Sequence, residues 1–155
     1  MSWASSPIWK RWWFILLIVL VGSFIGLTLF VNLSAYYHEQ ARRAQHIFYE
    51  KAYAEPGVIH RYYWFFRVEE PTRVIAYMGG GMETFWLYRL GPETPRESGL
   101  APIEYEERGA ELVLWNRGSF DGKLLDLEPG DYLIIVYTDK NAPWKYRFTV
   151  GLKKA

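Results

Sequence analysis

The sequence contains no cysteine, so disulfide bridges, thiolate metal sites and cysteine nucleophiles are all excluded. Histidine is scarce, at His38, His46 and His60. Only His46 and Glu50 have a ligand-like spacing, at i and i+4 on an expected helix. Two ligands leave a metal site incomplete, so a solvated helix face is the better reading. A surplus of charge is missing too: 18 basic residues meet 17 acidic ones, for a net charge of +1. There is no basic stripe to neutralise phosphates, which argues against a nucleic-acid partner.

A catalytic constellation is also absent. Gly79-Gly80-Gly81 is not followed by the Gly-Lys-Ser/Thr of a phosphate loop, and its strand-turn-strand context predicts a hairpin turn. Ser119 and Asp121 lie in the turn "RGSFDGK", which is not a nucleophile elbow. Glu69-Glu70 and the group Glu104, Glu106 and Glu107 have no companion base or nucleophile, and read as solvated edges and turns. The expectation is a protein that is not an enzyme and that holds neither cofactor nor metal.

Aromatic residues, by contrast, are abundant: 19% of the 155 residues, with 8 Trp, 12 Tyr and 9 Phe. Such side chains carry large buried areas and are enriched at interfaces. From Phe14 to Val31 no charge occurs. At ~1.5 Å per residue that run spans about 27 Å, close to the hydrocarbon thickness of a bilayer. It is longer than the apolar region of a signal peptide, and Leu33-Ser34-Ala35 matches a cleavage site poorly. The pattern predicts an uncleaved transmembrane helix over 14–33. Trp9, Trp12 and Trp13 suit the headgroup level, where Lys10 and Arg11 reach phosphates, and Tyr36 and Tyr37 form a smaller belt at the other end.

Lys10 and Arg11 adjoin the span directly, while Arg42 and Arg43 lie about three turns beyond it. This favours a cytoplasmic N-terminus in a bacterial inner membrane and a periplasmic or extracellular C-terminal domain. Within the span, Gly22, Ser23 and Gly26 form a G-x-x-x-G pattern with a small polar neighbour, the spacing that lets two helices approach closely. Residues 34–56 lack strand alternation and are rich in helix formers, so the helix is expected to continue as a stalk to about Tyr53, ended by Pro56-Gly57.

After Gly57 short apolar runs alternate with turn residues, a β signature. Runs at 58–68, 73–78, 82–90, 110–116, 123–127, 132–138 and 144–152 read as strands, and the charged "PIEYEE" at 102–107 reads as an edge strand. The segment from Tyr132 to Tyr137 is apolar on both faces, which predicts a central strand. In the last run Trp144, Tyr146, Phe148 and Val150 alternate with Lys145, Arg147 and Thr149, which predicts one solvated face. About eight antiparallel strands in ~100 residues predict an all-β sandwich, jelly-roll-like, over 57–155.

The stretches "TRVIAYMGGGMETFWLYRLG" and "LLDLEPGDYLIIVYTDKNAPWKYRFTV" resemble bacterial pre-peptidase C-terminal domains, small sandwiches with a Gly-rich turn before an aromatic strand and an L-x-P-G-x-Y element. The resemblance covers roughly residues 58 to 152. Its strongest element is Leu127-Glu128-Pro129-Gly130-Asp131-Tyr132. GOLD-type sandwiches are similar. The resemblance implies a β-sandwich. Calcium or collagen binding does not carry over, because Met82-Glu83-Thr84 lacks the acidic cluster after the Gly-rich turn.

On the first run, Tyr62, Trp64 and Phe66 point one way and Tyr63 and Phe65 the other, so one set needs cover from the chain itself, from lipid or from a partner. The expected function is a non-catalytic, single-span accessory subunit of a bacterial membrane complex, photosynthetic or respiratory, touching the lipid bilayer and other integral membrane subunits. The alternative is a membrane-anchored cell-surface module that binds glycan or protein.

Overall fold

The chain enters as one helix. In the computed structural model, which describes residues 8–155 with side chains from Trp12 onward, α1 spans Ile8–Ala44. It is long and apolar enough, by length and composition, to cross a membrane, and none of its apolar window is buried within the chain. Thr28 donates its hydroxyl to the Phe24 carbonyl at 2.8 Å, which satisfies that hydroxyl within the helix itself. The chain divides into two units, Met1–Arg42 and Arg43–Ala155.

The second unit is a sandwich of two four-stranded antiparallel sheets. Its strands are β1 (His46–Ala54), β2 (Arg61–Val68), β3 (Thr72–Met78), β4 (Thr84–Arg89), β5 (Glu111–Arg117), β6 (Phe120–Leu127), β7 (Gly130–Tyr137) and β8 (Tyr146–Lys154), with a short helix α2 (Pro102–Glu107) before β5. The first sheet has the order β1-β8-β3-β6 and the second β2-β7-β4-β5, which is jelly-roll topology. The predicted β-sandwich after an apolar helix is therefore the fold. As expected, Leu133, Ile134, Ile135 and Val136 of β7 are fully buried in the middle of the second sheet. On β8, Phe148, Val150 and Leu152 face the core while Arg147 is exposed. Trp144, expected on the inward side, instead precedes the strand and is exposed, because β8 begins only at Tyr146. Burial of each such side chain contributes roughly 1.5–3 kcal/mol.

Two elements differ from expectation. The stalk helix predicted to reach Tyr53 stops at Ala44, and His46–Ala54 is strand β1, paired antiparallel with β8. Phe48, Ala52 and Ala54 face the core at period two. Ala, Glu and Lys favour helix locally, but the ladder with β8 and the buried face outweigh that preference. The other difference is "PIEYEE", which is α2 and not an edge strand. Pro102 occupies the first turn, and the Glu104 carboxylate accepts from the Ala101 backbone N–H at 2.6 Å.

The glycine triplet is not a hairpin turn either. It links β3 in the first sheet to β4 in the second, so it crosses the sandwich. The strand that follows begins at Thr84, leaving Met82 and Glu83 in the crossing. At the start of β7 the Pro-Gly-x-Tyr element has a clear purpose: the Tyr132 hydroxyl donates to the Glu128 carbonyl at 2.7 Å and ties the strand to its own turn.

On the outer face of the first sheet, Gly151 of β8 stands between Tyr49 of β1 and Tyr77 of β3. The Tyr77 ring lies where a Gly151 side chain would be, and its hydroxyl hydrogen-bonds His46 Nε2 at 2.8 Å. Gly151→Ala is expected to cost roughly 1–3 kcal/mol by displacing that ring. In a Tyr77→Ala background the same change should instead stabilise by roughly 0.5–1 kcal/mol, because glycine disfavours a strand. A double-mutant cycle in urea checks the sign reversal.

Candidate functional site

Of the residues expected at the membrane surface, the side chains of Trp9, Lys10 and Arg11 lie outside the described residues. Trp12, Trp13, Tyr36 and Tyr37 are exposed on α1, as are the open surfaces at Gly22 and Gly26, where an added Cβ would meet nothing. Ser23 is likewise exposed.

The five aromatics of β2 separate cleanly. Tyr62, Trp64 and Phe66 turn inward and pack on the main core; Tyr62 and Trp64 stack with centroids 5.3 Å apart. The Tyr62 hydroxyl also bonds both backbone groups of Tyr53, donating to its carbonyl at 2.9 Å and accepting from its N–H at 3.1 Å. That closes part of the free edge of β1. Tyr63 turns outward and is covered by the chain itself. Only Phe65, 38% exposed, is left open.

The cover on Tyr63 is residues 91–110, which fold α2 across the outer face of the second sheet and bury Tyr88, Leu90, Tyr105, Leu133 and Ile135 as a second core. Three tyrosine hydroxyls hold this cover. Tyr63 donates to the Leu100 carbonyl at 2.9 Å, Tyr88 to Glu106 Oε1 at 2.7 Å, and Tyr105 to the Glu97 carbonyl. Glu106 thus remains exposed, as expected, but also serves as a bonding partner. Burial, and then the neighbouring hydroxyl or carboxylate, pushes the Tyr63 and Tyr88 phenols well above the usual range.

The cover reaches only part of that face. In-register pairing places Tyr63, Ile135, Trp86 and Trp115 in one row across the four strands, and Arg61, Tyr137, Thr84 and Arg117 in the next. Trp115 is 54% exposed and lies directly across from Trp86. Tyr137 meets Trp86 edge-on at 5.2 Å, and the Arg61 guanidinium sits 5.2 Å above the Tyr137 ring. Arg61 and Arg117 are both exposed. Trp86 and Trp115 were not singled out from the sequence. The signal was present as one Trp in each of two runs, but the pairing of those runs was not.

Under the Gly-rich crossing lies Glu83, a fully buried carboxylate. It accepts from the Tyr146 hydroxyl and from the Met82 backbone N–H at 3.1 Å. Burial, then this carboxylate, pushes the Tyr146 phenol up to about 12. A raised phenol binds its proton more tightly when folded. Its contribution is therefore complete below pH ~10 and is lost as pH rises from there through about 12. Alkaline titration of the folded signal is expected to show loss of stability beginning above pH ~10, with a shallower slope in Tyr146→Phe.

Among the described residues no group of three or more His, Cys, Asp or Glu could hold a metal ion. His46, expected on a helix beside Glu50, is on β1 with its ring bonded to Tyr77. An open hollow lined by Arg89, Gly91, Gly109 and Glu111 contains neither a nucleophile nor a histidine.

These features define an apolar helix followed by a β-sandwich with an aromatic outer face. No protein-family description matches the sequence, and no curated protein matches it. Among solved structures, it is similar to the pre-peptidase C-terminal domain of a collagenase from Bacillus anthracis, at 15% identity and a TM-score of 0.45, covering 68% of this chain and 88% of that one. It is also similar to a periplasmic inhibitor of g-type lysozyme from Aeromonas hydrophila, at 18% identity and 0.41, covering 73% and 90%. A protein from Sulfurospirillum deleyianum matches at 6% identity and 0.40, covering 70% and 98%.

Proposed function

We propose that this chain is a non-catalytic, single-span accessory subunit of a bacterial membrane protein complex. In this reading α1 lies in the inner membrane with its N-terminus cytoplasmic, and the sandwich stands in the periplasm or outside the cell. The observation that carries it is a division of labour. The sandwich closes both of its own cores, while α1 has an apolar surface with no cover inside the chain. An apolar helix of that kind needs lipid or other helices around it.

Purification from native membranes in mild detergent should recover integral membrane subunits together with this chain. Gly22→Leu with Gly26→Leu should weaken that recovery while leaving the chain resistant to alkaline extraction from the membrane. Recovery of this chain alone, or of a mature form that begins after Ala35 in the aqueous fraction, would overturn the reading.

A second reading, a membrane-anchored module that binds an external ligand, is favoured by the exposed Trp115 with the half-buried Trp86 and Tyr137 beside it in two adjacent rows. Trp, Tyr and Arg are the residue types that dominate contact energies.

A further inference from the structure

We infer that the exposed end of the second sheet's outer face binds an acidic saccharide chain, with the exposed Trp115 as the stacking ring, the half-buried Trp86 and Tyr137 as its apolar flank, and Arg61 and Arg117 as the carboxylate contacts. This inference rests on the second reading above, in which the sandwich engages a ligand outside the membrane.

The size of the surface selects a slender ligand. From β2 to β5 there are three strand spacings, or roughly 14 Å, and the two rows with their side-chain widths extend about as far along the strands, which is an upper bound because Tyr63 and Ile135 in the first row lie under the cover. That is on the order of 200 Å², against the ~800 Å² that each partner gives to a typical stable protein interface. The shape selects a ring. Trp86 and Trp115 are direct cross-strand neighbours, and Tyr137 sets its ring edge-on to Trp86. These side chains offer apolar surface with polar edges, which suits the apolar face of a sugar ring whose hydroxyls stay wet.

The charge selects an anion. Arg61 and Arg117 stand on the two outermost strands of this sheet, at opposite ends of the same row. Among the described residues neither guanidinium has a carboxylate partner: the Arg61 guanidinium contacts the Tyr137 ring, and Arg117 is bonded only through its backbone. No acidic residue shares either row. Glu111, on the same strand as Arg117, is at its other end across from Arg89. Guanidinium forks match carboxylates in a planar, two-bonded geometry. Two such contacts on a chain of net charge +1 suit a polymer with one carboxylate per sugar better than the dense charge of a nucleic acid.

The test is calorimetric titration of the full chain in zwitterionic lipid discs with oligogalacturonate, its methyl-esterified form, a poly-glutamate peptide and a single-stranded oligothymidylate. Oligogalacturonate should bind, the esterified form about tenfold more weakly, and the other two should not bind. Trp115→Ala should weaken binding at least about tenfold, Trp115→Phe by less than about threefold, and Arg117→Glu at least about tenfold with a smaller salt dependence. Both positions are exposed, so unfolding does not confound the result, and unchanged melting curves check this.

Failure of every saccharide, equal binding of poly-glutamate or oligothymidylate, or indifference to Trp115→Ala overturns the inference. Co-purification from native membranes separates this failure from that of the second reading. If Trp115→Ala abolishes recovery of a protein ligand while oligogalacturonate does not bind, the contact reading stands and the saccharide falls. If neither responds to Trp115→Ala, both fall.

Discussion

Tyr105→Ala is expected to destabilise the sandwich by about 3–5 kcal/mol, the usual range for deleting a fully buried aromatic side chain. Tyr105 is the residue by which α2 enters the second core. It packs near Tyr63 and Tyr88, with ring centroids 6.4 Å away in each case, and its hydroxyl closes onto the Glu97 carbonyl. Its loss leaves the cover 91–110 attached through the Tyr63 and Tyr88 hydroxyls and the exposed Arg96–Asp131 ion pair.

Amide exchange should therefore speed up in 91–110 before it does in β7, which remains sealed on its inner face by the main core. Tyr105→Phe keeps the packing and loses the hydroxyl bond, so about 1 kcal/mol is expected. Denaturant unfolding of the two variants checks the ratio. A cost below ~1 kcal/mol for the alanine variant would mean that the cover is not part of the cooperative unit.

The second large effect is at Glu83. Glu83→Ala removes a buried acceptor that serves two donors, the Tyr146 hydroxyl and the Met82 N–H, and leaves both without a partner. Each orphaned donor is only part-buried, so the lower part of the ~1–3 kcal/mol range applies to each and a total of about 2–4 kcal/mol is expected. The carboxylate also occupies the space beside Gly80, where φ is +129° and any added Cβ would overlap it. The Gly-rich crossing is thus shaped around Glu83. Glu83→Gln preserves an acceptor and most of the shape, and should cost about 1–2 kcal/mol. If the alanine variant melts within a degree of the parent, water has replaced the carboxylate and the crossing does not depend on it.

Much of the architecture was readable along the chain because it rests on local pattern. The apolar run from Phe14 declares α1 by composition. The unbroken apolar segment at Tyr132–Tyr137 declares β7 as a strand buried on both sides, and the alternation from Trp144 declares β8 as half solvated, although the strand itself starts at Tyr146. Even α2 was marked, by Pro102 and by Glu104 two positions later, although the run of charges suggested an edge strand. The candidate face was less legible. Tyr62–Phe66 drew attention as a cluster, yet three of those rings line the main core and Tyr63 lies under the cover. The exposed tryptophan of this face is Trp115, on a run that looked ordinary in isolation.

By itself, the amino-acid order determined that an apolar helix precedes a β-sandwich, and which segments become its central strands, because those properties depend on residues adjacent in the chain. Only the tertiary structure decided that His46–Ala54 is a strand, since helix formers there yield to a ladder with β8 about a hundred residues later. It alone also decided that α2 covers one half of an aromatic sheet and leaves Trp115 and two arginines open. Which rings share a row is a matter of register between distant strands, and register is set by how the whole core closes.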